Sequence, residues 1–97
     1  MYQGGNGVSW PVATRRPPPI YTAEAMRARL QGTVFLKCIV RPDGACSDIR
    51  VVRSLDSKMG LDEKAIESAK QWRFRPGMRQ GEPVPVEIDM AIEFNIR

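Results

Sequence analysis

The chain contains no histidine, which is the commonest general base at neutral pH and the commonest zinc ligand. It has only two cysteines, Cys38 and Cys46, and two thiolates cannot complete a tetrahedral metal site alone. A phosphate-binding glycine loop and the pattern of a nucleic-acid-binding module are also missing. We therefore expect a protein that is not an enzyme and that has no metal, no cofactor and no nucleic acid as ligand.

Long apolar runs are missing as well. No stretch approaches the ~20 apolar residues that cross a bilayer, and the first residues lack the charged and apolar regions of a signal peptide. A membrane anchor or signal, if the protein has one, is expected in a segment absent from this chain.

The size and charge are those of one small domain. Its 97 residues, 42% hydrophobic and 27% charged, allow a core of modest size. The net charge is +4, but the longest basic run is Arg15-Arg16 and acidic residues are interspersed along the chain. This pattern favours a solvated surface of mixed charge over a binding site for nucleic acid or membrane.

Residues 1–18 are predicted to be a flexible linker or tail, and residues 19–97 the domain. The first 19 residues hold four of the eight prolines and three of the eight glycines. Glycine makes a segment flexible and consecutive prolines make it extended, so the default expectation is disorder, with local docking of Trp10 or Val12 as the alternative.

Two strands and a short helix are predicted in the first half of the domain. In residues 22–30, strong helix formers follow Thr22, which is a suitable N-cap residue. Residues 33–41 and 47–54 are rich in β-branched and large apolar residues, and the Pro42-Asp43-Gly44 turn joins them into a hairpin.

A second helix and a long strand complete the pattern. Residues 61–72 place Leu61, Ala65, Ala69 and Trp72 on one helical face. Beyond it, apolar residues alternate without a break from Val84 to Ile96, which predicts a strand buried on one face only.

Chain direction then predicts the topology. The single helix returns the chain so that the third strand runs parallel to the second, and a purely antiparallel sheet needs the first strand in the middle. We expect an α+β domain with a three-stranded antiparallel sheet in the order 2-1-3, with the main helix and the short N-terminal helix on one face. The third strand becomes an edge whose outer backbone groups can pair with another strand.

The residues at the element ends resemble those of the TonB C-terminal domain family, and the ββαβ order resembles the TonB/TolA-like fold. The matching motifs, in the family's order over residues 19–97, are Pro19-Ile20-Tyr21, Gly32-Thr33-Val34, Pro42-Asp43-Gly44, Val51-Val52-Arg53-Ser54, Leu61-Asp62, Trp72-Arg73-Phe74-Arg75-Pro76 and Gly81-Glu82-Pro83-Val84. Thr22 stands where the family usually has a second proline, and Leu55 where it usually has a second serine.

The resemblance implies a periplasmic domain of an energy transducer, tethered to the inner membrane by a segment absent from this chain. Such domains receive energy from the proton-driven motor proteins ExbB and ExbD. They bind the TonB box, a short peptide of outer-membrane receptors for nutrients and siderophores, by strand addition to the last strand. A homodimer paired through the same strand is the expected competitor.

The predicted partner-binding residues lie mostly on the third strand. They are Val86, Glu87, Ile88, Asp89, Met90, Ala91, Ile92, Glu93 and Phe94, together with Tyr21, Arg73 and Arg75. Arg73 and Arg75 are interpreted as contacts for anionic partners, whereas Trp72 and Phe74 are interpreted as core residues rather than a recognition surface.

The two cysteines and the carboxylates of the last strand each allow another interpretation, which we do not favour. In a three-residue hairpin loop Val40 lies opposite Cys46, and Cys38 lies diagonally from Cys46, so we expect two buried free thiols rather than a disulfide. The carboxylates of Glu87, Asp89 and Glu93 could suggest glycosidase chemistry, but on an edge strand they more often prevent aggregation.

Two alternatives to the transducer stay open. One is a TonB-like interaction or sensor module of another envelope protein, which binds cell wall or a scaffold. The other is an unrelated basic nucleic-acid binder, whose retention on DNA would depend on salt.

Overall fold

A computed structural model describes residues 2–96 of the chain. Its elements in chain order are β1 (Val12–Arg15), α1 (Ala23–Arg27), β2 (Gly32–Val40), β3 (Cys46–Arg53), α2 (Leu61–Gln71), β4 (Arg73–Arg75), β5 (Gly77–Arg79), β6 (Glu82–Val84) and β7 (Val86–Phe94).

The central sheet has the predicted architecture. Its three antiparallel strands lie in the order β3-β2-β7, which is the predicted order 2-1-3. The β2–β7 register runs without a break from Val40 opposite Val86 to Gly32 opposite Phe94. The alternation of apolar residues predicted this strand, except that its first residue is Val86, because Val84 belongs to β6 on the other side of Pro85.

The turn between β2 and β3 follows the predicted Pro42-Asp43-Gly44 signal. Gly44 has a φ of 88°, and a Cβ atom there would lie 2.3 Å from the carbonyl oxygen of Phe74. The same glycine accepts a 2.9 Å hydrogen bond from the N–H of Phe74. Glycine is therefore needed both for the backbone conformation and for the close approach of β4.

Helix α2 packs the predicted face against the sheet. Leu61, Ala65 and Ala69 are fully buried, and the helix ends at Gln71, with Trp72 as an extended C-cap residue. At the N-terminus, Asp56 Oδ2 accepts hydrogen bonds from the N–H groups of Met59 and Leu61. The carboxylate of the preceding loop thus satisfies backbone donors that the helix start leaves free.

The short helix α1 differs in detail from its prediction. Thr22 is the N-cap, since its Oγ1 accepts from the N–H of Ala25 at 3.2 Å. Its buried side chain is that of Ala25, and Met26 is exposed. The helix stops before Arg29, whose φ of 55° is left-handed, and is therefore shorter than the predicted residues 22–30.

The hydrophobic core lies between the two helices and one face of the sheet. Its members come from every predicted element of the domain and from β4: Ala25, Val34, Leu36, Cys38, Val40, Cys46, Leu61, Ala65, Ala69, Phe74, Met90, Ile92 and Phe94. This arrangement buries the apolar side of β7 and leaves its other side exposed, as its alternation indicates.

The expectation of two free thiols is wrong, because Cys38 and Cys46 form a disulfide with Cα atoms 5.9 Å apart. The predicted register is nevertheless present, with Val40 opposite Cys46. A register shift in the β2–β3 pair beside Cys38, with Asp48 at a φ of 50°, forms an irregularity of the bulge type. The Cα separation of this diagonal pair lies within the usual range of disulfides.

Residues 2–18 make specific contacts, whereas their composition predicts a flexible tail. Tyr2 pairs in parallel with Val86, and Val8 forms an antiparallel bridge to Arg79 and is only 7% exposed. Strand β1 pairs antiparallel with β4. These partners lie far along the chain, so hydrophobic periodicity within residues 1–18 could not indicate them.

Candidate peptide-binding edge

The outer edge of β7 carries backbone groups that point away from the sheet. Tyr2 accepts a 3.0 Å hydrogen bond from the N–H of Glu87 and donates a 3.3 Å hydrogen bond to the carbonyl of Pro85. Because backbone groups alternate in direction along a strand, the N–H and C=O groups of Asp89, Ala91 and Glu93 point to the same side. Within residues 2–96, no hydrogen bond satisfies these three N–H groups.

The remaining β7 residues of the predicted site face β2 and the core. Val86, Met90, Ile92 and Phe94 are buried, and Ile88 is half-buried. Their backbone groups pair with β2, so they support the edge rather than present it. Within β7, every second residue thus turns its backbone groups away from β2, and partner contacts of the nine predicted residues stay a prediction.

The outward carboxylates at the start of β7 are already paired across the sheet. Glu87 Oε2 lies 2.8 Å from Arg50 Nη2, and Lys37 Nζ lies 3.9 Å from Glu87 Oε1 and 3.8 Å from Asp89 Oδ1. These contacts are on the surface and each contributes at most about 1 kcal/mol. They neutralise the charge beside the edge, which leaves backbone pairing as its main chemistry.

The side chain of Tyr21 is held by contacts within the domain. Its ring meets the Phe94 ring edge-on, with centroids 5.4 Å apart, and its hydroxyl donates a 2.8 Å hydrogen bond to the carbonyl of Leu30. Burial raises the pKa of the Tyr21 hydroxyl. These contacts join the segment before α1 to the end of β7, and a contact between Tyr21 and a partner stays a prediction.

Arg73 and Arg75 lie on the side of strand β4 that faces away from β7. Both are exposed on β4, and the buried Phe74 between them points to the other face of that strand. Arg73 Nη1 donates to the carbonyl oxygens of Lys70 and Trp72 at the end of α2. Their interpretation as contacts for an anionic partner is not tested by this geometry.

A shallow groove of about 500 Å³ runs beside the middle of the β7 edge, and sequence reasoning did not find it. Its lining residues are Trp10, Pro11, Ala13, Arg16, Trp72, Phe74, Ile88, Asp89, Met90 and Ala91. Trp10 is 59% exposed, Phe74 is buried and Trp72 is half-buried. The indole N–H of Trp72 is buried and has no hydrogen-bond acceptor within residues 2–96. The interpretation of Phe74 as a core residue is confirmed. Trp10 and Pro11 form the other wall of the groove.

The described residues contain neither a candidate metal site nor a candidate membrane-spanning helix. No group of three or more acidic, cysteine or histidine side chains is placed to hold a metal ion. None of the helices in residues 2–96 is long and apolar enough to cross a membrane.

The fold and this edge define a class of small α+β domain whose last strand lies at an open side of a three-stranded sheet. The family model of the Gram-negative bacterial TonB protein C-terminal matches residues 17–96. The chain belongs to the TonB C-terminal domain family, as its motifs predict.

Individual relatives agree with this assignment. The chain is 34% identical over 80 residues to protein tonB2 of Pseudomonas aeruginosa, a match that covers 82% of this chain and 29% of tonB2. It is 30% identical over 80 residues to protein TonB of Escherichia coli K12, covering 82% of this chain and 33% of that protein. The chain thus spans about a third of these curated relatives.

A solved structure agrees in fold. The solution NMR structure of the Pseudomonas aeruginosa TonB CTD superposes with a TM-score of 0.71 at 26% identity, and the match covers 96% of this chain and 90% of that one. The fold thus agrees with the assignment of this chain as the C-terminal domain of a TonB-type protein.

Proposed function

We propose that this domain binds the TonB box of an outer-membrane receptor by strand addition to the outer edge of β7. The observation that carries the proposal is the row of N–H groups at Asp89, Ala91 and Glu93, for which residues 2–96 offer no acceptor. An extended peptide that adds to such an edge gains a main-chain hydrogen bond at every second residue.

The contact between Tyr2 and β7 supports the proposal. Tyr2 already forms two hydrogen bonds on this edge, with Pro85 and Glu87. The geometry that a partner strand needs is thus present in the chain itself, and the three further N–H groups continue it.

In this proposal the domain works in the periplasm, anchored to the inner membrane by a segment outside this chain. The full protein receives energy of the proton-motive force from ExbB and ExbD and transmits it to the receptor for uptake of a nutrient or siderophore. These roles belong to a whole transducer, and the chain spans about a third of the length of the curated relatives it matches. A homodimer paired through β7 would occupy the same edge, so it competes with the peptide.

A titration of the labelled chain with a TonB-box peptide, followed residue by residue by NMR, tests this proposal. We expect the amide signals of Asp89, Ala91 and Glu93 to move most, because their N–H groups gain acceptors. A peptide with proline at alternate positions lacks donors for the edge and serves as the control. If the largest changes lie on β3 or α2 instead, the proposal is wrong.

A further inference from the structure

The chain's own N-terminal segment borders the free part of the β7 edge on two sides. Tyr2 occupies the carbonyl of Pro85 and the N–H of Glu87, so the N–H groups left for an added strand are those of Asp89, Ala91 and Glu93. Trp10 lies farther along, at the wall of the groove beside Ile88 and Met90. A partner strand would therefore lie against this segment as well as against β7.

Neighbouring residues of paired strands have their side chains on the same face of the sheet. Residues of an added strand beside Ile88 and Met90 would point to the face that carries the core. On that face the groove offers Trp10, Ala13, Trp72 and Phe74 as its walls. Burial of an apolar side chain against aromatic walls is favourable in proportion to the area removed from water.

The position of Trp10 is set by a close contact with the backbone. A Cβ atom at Gly4 would lie 2.0 to 2.5 Å from three atoms of the Trp10 indole, so the ring packs directly on the glycine. Trp10 is nevertheless 59% exposed. The ring is thus held in place while most of its surface stays available to a ligand.

We infer that this groove is a specificity site that takes an apolar side chain of the bound strand, and that Tyr2 limits the strand to the segment of β7 after Glu87. The inference rests on the proposed function, because only a strand on this edge brings a side chain into the groove. The partner it fits is an extended peptide with apolar residues at alternate positions.

The test compares two seven-residue peptides on the full chain, one of alternating valine and threonine and one of threonine only. Valine and threonine have the same branched shape and similar strand propensity, so the difference reports burial in the groove. We expect the valine-containing peptide to bind about tenfold more tightly, which corresponds to partial burial of one or two valines.

Two variants locate the effect. Trp10→Ala removes a wall and Gly4→Ala displaces the same ring, and each should reduce the tenfold preference to about twofold. The preference is a ratio of two affinities, so a general loss of binding cannot imitate this result. The matched control is Val52→Ala, which shortens another exposed apolar side chain on the opposite edge strand, β3, and should leave the preference intact.

The NMR signals separate failure of the inference from failure of the proposed function. If neither peptide moves the amides of Asp89, Ala91 and Glu93, strand addition itself is wrong. If those amides move but both peptides bind equally, the groove has no role in specificity. A shift of the Glu87 amide as large as that of Ala91 would show that the peptide displaces Tyr2. In the absence of peptide, NMR signals of Trp10 that shift with protein concentration would show that a second copy of the chain occupies the groove. That result would contradict the inference.

Discussion

The carbonyl oxygen of Tyr2 accepts a 3.0 Å hydrogen bond from the N–H of Glu87, and so joins the two ends of the chain. Farther along, the N–H of Ser9 donates a 2.9 Å hydrogen bond to the carbonyl of Met78, and the Ser9 hydroxyl accepts a 2.8 Å hydrogen bond from the Met78 N–H. The N-terminal segment thereby covers the start of β7 and one side of the β5–β6 hairpin.

Deletion of residues 1–15 should destabilise the domain, although composition alone predicts no effect. The deletion removes the buried Val8 and the whole of β1, whose Ala13 packs against the core. Burial of one valine stabilises a fold by about 1.5–3 kcal/mol, so urea unfolding should show at least a loss of that size. Deletion of residues 1–6 keeps Val8 and is the control, with a smaller expected loss. Equal stability of the parent and the longer deletion would contradict the contacts of β1 and Val8.

Truncation of Trp72 should cost less than truncation of Phe94. Phe94 is fully buried, and its replacement by alanine should lower the free energy of unfolding by about 3–5 kcal/mol. Trp72 is half-buried, so Trp72→Ala should cost about 2 kcal/mol, below the range that applies to a fully buried aromatic residue. Chemical denaturation of both variants checks the order. Equal costs would place Trp72 fully in the core and away from the groove wall.

The double variant Cys38→Ala/Cys46→Ala should be less stable by about 2.5 kcal/mol, because the crosslink closes a short loop in the unfolded chain. Thermal unfolding of the parent with and without reductant gives the same comparison. Both cysteines lie in the β2–β3 hairpin, so the folded variant should bind peptide as the parent does. An unchanged melting temperature under reducing conditions would contradict a stabilising disulfide.

The sequence predicts the elements whose signals are local. Strict alternation from Val86 to Phe94 indicates one buried face, and chain direction then leaves this strand at the sheet edge. The Pro42-Asp43-Gly44 turn sets the β2–β3 hairpin, including Val40 opposite Cys46. Each of these features depends on residues near one another in the chain, where periodicity and turn chemistry apply.

Features that depend on distant partners could not be predicted in the same way. The disulfide lies beside a shift of register at Cys38, and no residue type in the sequence indicates where a bulge will form. The groove requires Trp10 and Ile88 to come together, which periodicity within either segment cannot indicate. The open edge of β7 could be predicted from the sequence, whereas the groove wall that Trp10 forms beside it could not.

Proline at position 91 tests the central claim most directly, because the N–H of Ala91 points outward and pairs with nothing in residues 2–96. Ala91→Pro removes one donor from the edge without removing a β2–β7 hydrogen bond, and NMR spectra should show that the sheet is retained. Ala91→Val keeps the donor and is the matched control, and Glu93→Lys reverses an exposed charge.

The measurement is the affinity of each variant for a TonB-box peptide by calorimetry. Strand addition predicts about tenfold weaker binding for Ala91→Pro, which corresponds to loss of one net hydrogen bond. It predicts changes of less than about threefold for Ala91→Val and Glu93→Lys, since an exposed charge contributes little. Full affinity in a folded Ala91→Pro variant, or a larger loss in Glu93→Lys than in Ala91→Pro, would contradict binding through the β7 backbone.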